Sequence, residues 1–165
     1  MRVRKRWRVA AVQMTSTEDV ERNLARAEDL VRKAAAAGAE LVALPENFAY
    51  LKTEGEPLAF RTKLAGEPVR SMRELARELR CHLLLGSIPE EIPRSRRTHN
   101  TSVLIGPAGR VLGCYRKMHL FDIDMRGGAV LKESRSVKAG ERPVVLRTPL
   151  GRLGLSICYD LRFPE

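Results

Sequence analysis

Apolar residues recur along this chain with two alternating periods. Val9-Ala10-Ala11-Val12-Gln13-Met14 is a mostly apolar run closed by the polar Thr15-Ser16-Thr17, and it predicts a first strand. Asp19 then stands where a helix needs its N-cap; Val20, Leu24, Ala27, Val31 and Ala34 repeat with a 3.6-residue period; and Gly38 supplies a stop. Glu40-Leu41-Val42-Ala43-Leu44 follows, nearly all apolar, the pattern of a strand covered on both faces. Strand, helix and strand make a βαβ unit with a right-handed crossover expected, and the α/β class follows.

Residues 51–66, rich in Gly, Pro and charge, read as loop. A second helix is predicted over 67–79, with Val69, Met72, Leu75, Ala76 and Leu79 on one face. Leu83 to Ile88 predicts a third buried strand, and Pro89 to His99 a basic surface loop. Thr101–Ile105 and Arg110–Tyr115 flank Pro107-Ala108-Gly109, which has turn chemistry, and are expected to form a hairpin. Periodicity is lost over Arg116 to Asp122, Gly127-Gly128 marks a bend, and Glu133-Ser134 lies just beyond it. Val144–Thr148 and Leu153–Ile157 predict a last hairpin that delivers Cys158 at the end of its second strand. The residues after it turn polar and aromatic toward Pro164, which suits the first turn of a helix.

Composition changes this picture little. The chain of 165 residues fits a single domain, 1–165, able to bury a sizeable core, and no apolar run approaches the roughly 18 residues a bilayer requires. The basic start, Met1 to Arg8, resembles the head of a secretory signal, but Val9–Val12 is too short for its apolar part and no such signal is expected. Cys81, Cys114 and Cys158 are odd in number and irregularly spaced, so neither a disulfide framework nor a metal site is expected, and a reducing cytoplasm is the natural compartment. The net charge of +10 is scattered apart from Arg2–Arg8 and Arg94, Arg96 and Arg97, with few aromatics interleaved. Single-strand binding needs stacking aromatics, so the charge reads as a solvated surface and no nucleic-acid or membrane partner is expected.

Three predicted strand ends carry candidate chemistry: Glu46, Lys117 and Cys158. Ligands in α/β sheets bind beyond the carboxyl ends of strands, where all three stand. A free thiol with a pKa of about 8.5 is only slightly ionised at neutral pH, so a cysteine nucleophile needs a base or a cation. A carboxylate raised by burial can be that base, and an ammonium can steady a negative tetrahedral oxygen. The bland alternative for Cys158 is a small packing residue, and for Glu46 a solvated loop acid.

Leu44-Pro45-Glu46-Asn47, Tyr115-Arg116-Lys117-Met118-His119-Leu120 and Ile157-Cys158-Tyr159-Asp160-Leu161-Arg162-Phe163-Pro164-Glu165 resemble, in order and in flanking residues, the three signature segments of the nitrilase superfamily of carbon-nitrogen hydrolases. The resemblance implies an αββα sandwich, with Glu46 as general base, Lys117 as stabiliser of the tetrahedral intermediate and Cys158 as nucleophile. It further implies that Glu133 sits against the lysine and helps orient substrate, and that the backbone N–H of Tyr159 completes an oxyanion site. The Tyr159 ring reads equally well as packing. His119-Leu120-Phe121-Asp122-Ile123-Asp124, followed by Gly127-Gly128 and Glu133-Ser134-Arg135, looks most like the Nit branch, whose members resemble omega-amidases and deaminated glutathione amidases. The implied reaction is hydrolysis of a primary amide of a small carboxylated substrate through a Cys158 thioester, with no cofactor; nitrile and N-carbamoyl hydrolysis are alternatives. A Cys-His hydrolase using His119 is another. The family continues past the nucleophile with strands that complete both sheets and a dimer interface. The chain is therefore expected to be the N-terminal part of such a domain, homo-oligomeric in full-length form, or else an inactive product of the same fold.

Overall fold

The computed structural model describes residues 6–53, 55–124 and 130–164. The Gly127-Gly128 bend, the first residues of the basic start and Glu165 lie outside them. In chain order the elements are β1 (Val9–Ala11), α1 (Val20–Ala36), β2 (Leu41–Ala43), α2 (Glu67–Leu79), β3 (His82–Glu91), β4 (Thr98–Ile105), β5 (Val111–Arg116), β6 (Asp122–Asp124) and β7 (Val130–Lys132). A short 3-10 helix over Glu133–Arg135, β8 (Val144–Thr148), β9 (Gly151–Leu155) and a 3-10 helix over Cys158–Arg162 complete the chain.

Both long helices start and stop where local chemistry dictates. The Asp19 carboxylate accepts the Arg22 N–H and caps α1, and Gly38, at φ 85°, takes the left-handed turn that ends it. Helix α2 covers the predicted 67–79, with Pro68 in its first turn, where the missing N–H costs nothing.

One five-stranded sheet runs β1-β2-β3-β4-β5, parallel across the first three strands and antiparallel across the last three. Alternation along its strands sorts side chains to two faces. Val42, Leu83, Leu85, Val103 and Ile105 join Val31 of α1 and Val69, Met72 and Leu75 of α2 in the main core. Their neighbours Leu41, Leu84 and Leu104 point the other way and meet Leu146, Leu150 and Leu153 of the β8–β9 hairpin. Tyr115, Leu155 and Ile157 continue that second layer. Covering both faces explains why β2 and β3 read as solid apolar runs.

Several stretches differ from expectation: β1 stops at Ala11, β6 and β7 form a small ladder that was not predicted, β9 lies two residues earlier than the expected 153–157, and two further differences have a clear cause. The basic surface loop expected over 89–99 shrinks to 92–97, because β3 runs on through Glu91 and β4 begins at Thr98. Glu90 looks like a loop acid in the sequence, but it is buried in the strand, where it accepts hydrogen bonds from Thr101 and, through both oxygens, from Arg116. The ladder carries a register shift between Leu85 and Ile88, and beyond it Pro89 pairs with Asn100. At the other end of the chain, the 3-10 helix starts at Cys158 itself and stops before Pro164. Asp160 accepts the Ile157 N–H and folds the turn early, while proline biases the preceding Phe163 toward its extended conformation.

Candidate functional site

The segment after β2 is clamped from below. A Cβ built on Gly86 would lie 2.2 Å from the Pro45 carbonyl oxygen and 2.3 Å from that of Leu44, so only glycine permits this backbone approach. Asn47 turns the chain at φ 56° and donates its N–H to the hydroxyl of buried Ser87 at 2.9 Å. Glu46, half-buried, is presented between these two fixed points.

Lys117 follows β5. Its N–H donates to the Asn100 carbonyl, and its own carbonyl accepts from Gly140, so its backbone is held on both sides. The side chain is 2% exposed. A buried ammonium requires partners, and Nζ donates to Glu133 Oε2 at 2.9 Å and to Glu46 Oε1 at 3.3 Å. Burial alone would lower its pKa, but hydrogen bonding to Glu133 and the charges of both glutamates outweigh this and hold it above the usual lysine range. Glu133, at the head of its 3-10 helix, also accepts the Phe121 N–H at 2.7 Å. Asn100 closes the group: its Nδ2 donates to Glu46 Oε1 at 2.7 Å and to Glu133 Oε1 at 3.4 Å.

Cys158 adopts φ 48°, the left-handed conformation that costs a side chain about 1–2 kcal/mol. The sharp turn sets the thiol outside the β9 pleat and facing this polar group. Although the residue as a whole is exposed, its sulfur is sheltered, and burial pushes its pKa up. The negative charge of Glu46 and a hydrogen bond to it push in the same direction, more than Lys117 pulls back. The resting sulfur is therefore a thiol that needs a base. Cys81 and Cys114, by contrast, pack in or against the main core, and burial raises both.

The structure thus brings Glu46, Lys117, Glu133 and Cys158 to one place. Tyr159 stands beside them, its ring packed edge-on against Phe121 at 5.0 Å and Phe163 at 5.4 Å. His119 is engaged elsewhere. Its Nδ1 pairs with Asp160 Oδ1 at 2.8 Å and its ring stacks on Phe163 at 3.9 Å. Among the described residues, no group of three or more His, Cys, Asp or Glu could hold a metal ion, and no helix is long and apolar enough to cross a membrane.

Two residues that hold this arrangement carry no signal of their own in the sequence. Asn100 falls between the predicted basic loop, which ends at His99, and the predicted strand, which begins at Thr101. Asp160 lies inside the last motif yet has a role of its own: it accepts from the Tyr115 hydroxyl at 2.7 Å, from the backbone of Ile157 and of His119 at 2.9 Å each, and from the His119 ring. Burial alone would raise Asp160, but these donors outweigh it and hold the carboxyl below its ordinary range.

Known proteins resemble this chain along nearly its whole length. A deaminated glutathione amidase of Synechocystis is 42% identical over 164 residues, covering 98% of this chain and 60% of its own length. The human omega-amidase NIT2 is 38% identical over 159 residues, covering 96% and 57%. The crystal structure of the C. elegans NitFhit protein superposes with a TM-score of 0.82 at 35% identity, covering 94% of this chain and 39% of that one. The chain spans about 60% of the length of the curated relatives it matches. The carbon-nitrogen hydrolase family profile extends over residues 8–165, nearly the whole chain, and the protein belongs to that family.

Proposed function

We propose that these residues form the catalytic group of an amidase that hydrolyses a primary amide of a small carboxylated molecule through a Cys158 thioester. The observation that carries the reading is a buried lysine held between two carboxylates, beside a strained, protonated thiol. Glu46 takes the thiol proton as sulfur attacks the amide carbon. The oxygen that becomes negative is met by the Lys117 ammonium and the backbone N–H of Tyr159, one of the first N–H groups of the 3-10 helix and hence without a partner inside it. Collapse of the tetrahedral adduct breaks the C–N bond, and Glu46 returns its proton to the nitrogen, which leaves as ammonia. Water, deprotonated by the same carboxylate, then attacks the thioester; the carboxylic acid departs and Cys158 regains its proton. Glu133 keeps Lys117 charged and in place throughout.

The names of the relatives, omega-amidase and deaminated glutathione amidase, support amide hydrolysis. The test is ammonia release from small omega-amides by this chain and by a C-terminally extended form, with acid quenching and mass spectrometry of the Cys158 peptide. Turnover that passes through an acyl adduct on Cys158 and disappears in Cys158→Ala is expected. Undiminished hydrolysis in Cys158→Ala would overturn the proposal.

A further inference from the structure

Asn100 makes an arrangement that simple packing does not explain. It is 6% exposed on β4, and its Nδ2 donates toward two carboxylates that are both also bound by Lys117. The amide can face them only one way round, because reversing it would set its carbonyl oxygen against two anions. Its Oδ1 is buried and has no hydrogen-bond partner among the described residues. A buried acceptor left without a partner works against folding. The fold tolerates that cost at the one place where an NH2 group bridges Glu46 and Glu133.

The consequence lies at Glu46. Both donors, Asn100 at 2.7 Å and Lys117 at 3.3 Å, fall on the same oxygen, Oε1. Oε2 receives neither. We infer that Asn100 is a positioning residue: by occupying Oε1 and tying Glu46 to Glu133, it assigns Oε2 as the proton acceptor for Cys158 and keeps the carboxylate from swinging wholly onto Lys117. This rests on the reading of Glu46 as the base. Without Asn100, Lys117 alone directs Glu46, and a carboxylate drawn onto the ammonium withdraws its charge from the sulfur.

The groups that face the thiol are Glu46, Lys117 and Glu133, and its titration reports on how they are arranged. The experiment measures the pH dependence of iodoacetamide alkylation at Cys158 in the whole chain, read by mass spectrometry on the tryptic peptide spanning 153–162. It needs no turnover. Wild type, Glu46→Gln and Asn100→Ala are compared, with Asn100→Ser, which keeps a short donor, read in its place if the alanine variant does not fold. Glu46→Gln is expected to lower the alkylation midpoint by roughly one pH unit, since it removes the nearest negative charge. Asn100→Ala is expected to shift it in the same direction by at least half as much, and Asn100→Ser by less. A general loosening of the strand gives no such shift tied to that of Glu46→Gln. A wild-type midpoint in the Asn100 variant, with Glu46→Gln shifted, would overturn the role of Asn100 alone. A wild-type midpoint in Glu46→Gln would remove Glu46 as the partner of the thiol and overturn both readings.

Discussion

Replacing Asp160 by alanine gives the sharpest test of how the nucleophile turn is held. The carboxylate gathers four donors: the Tyr115 hydroxyl, the backbone N–H groups of Ile157 and His119, and the His119 ring. His119 is half-buried, so its groups can turn to water at little cost. Tyr115 and Ile157 are buried, each 3% exposed, and their donors would be stranded. At about 1–3 kcal/mol for each stranded donor, the variant should lose about 2–6 kcal/mol of unfolding free energy. With a urea slope of about 1–3 kcal/mol per molar, the unfolding midpoint should fall by roughly 1 M or more at pH 7. The loss should also depend on acid. The folded carboxyl is held below its unfolded pKa of about 3.9, so its stabilisation is complete above that value and drains away as the pH falls through the folded one. Urea midpoints of the two proteins should therefore differ by a constant amount from pH 7 to about pH 5 and converge below about pH 4. A variant as stable as wild type at pH 7, or a gap that widens in acid, would refute the assignment of Asp160 as the tie between turn and sheet.

Three further outcomes follow from the same geometry. Arg116→Met strips the bidentate partner from buried Glu90 and, because the arginine is partly exposed, should cost about 1–3 kcal/mol at neutral pH by urea titration, and less in acid as the pH falls through the lowered pKa of Glu90; no loss would mean that Thr101 alone suffices. Gly86→Ala forces a methyl group to within 2.2 Å of the Pro45 carbonyl, so thermal unfolding should report a loss of about 2–4 kcal/mol, and the Cys158 alkylation midpoint should move as Glu46 is displaced; a silent alanine would contradict the close approach. The wild-type thiol should titrate above the ordinary cysteine value of about 8.5, because burial and Glu46 both raise it, and a midpoint near 7 would show that Lys117 dominates instead.

How far the sequence could be read depended on whether the governing interaction was local. Helix α1, with its Asp19 cap and Gly38 stop, and helix α2, with Pro68 in its first turn, are written in neighbouring residues, and both run as the periodicity predicts. The apolar runs of β2 and β3 announced a sheet buried on both sides. The far end of β3 was illegible because Glu90 is made tolerable by Thr101 and Arg116, partners 11 and 26 residues away. Of the candidate site, Glu46, Lys117 and Cys158 could be picked out because each ends a readable strand in a recognisable motif. Asn100 could not. Its significance depends on two carboxylates 54 and 33 residues distant, and no spacing rule connects them. The short 3-10 helix at Cys158 is the exception, a local feature that was misjudged: Pro164 suggested a helix starting later, while Asp160, through its bond to Ile157 three residues back, begins one sooner.

The β8–β9 hairpin forms its own two-stranded ladder and leans on the five-stranded sheet through side chains such as Leu146, Leu150 and Leu153. Glu46 and Lys117 ride on strands of the large sheet, whereas the sulfur rides on the hairpin. Peeling the hairpin off, without melting anything else, would carry nucleophile and base apart and silence the chemistry while most of the molecule stayed intact. Hydrogen exchange along 151–155 and the reactivity of the thiol should accordingly rise and fall together, two gauges of a single docking equilibrium.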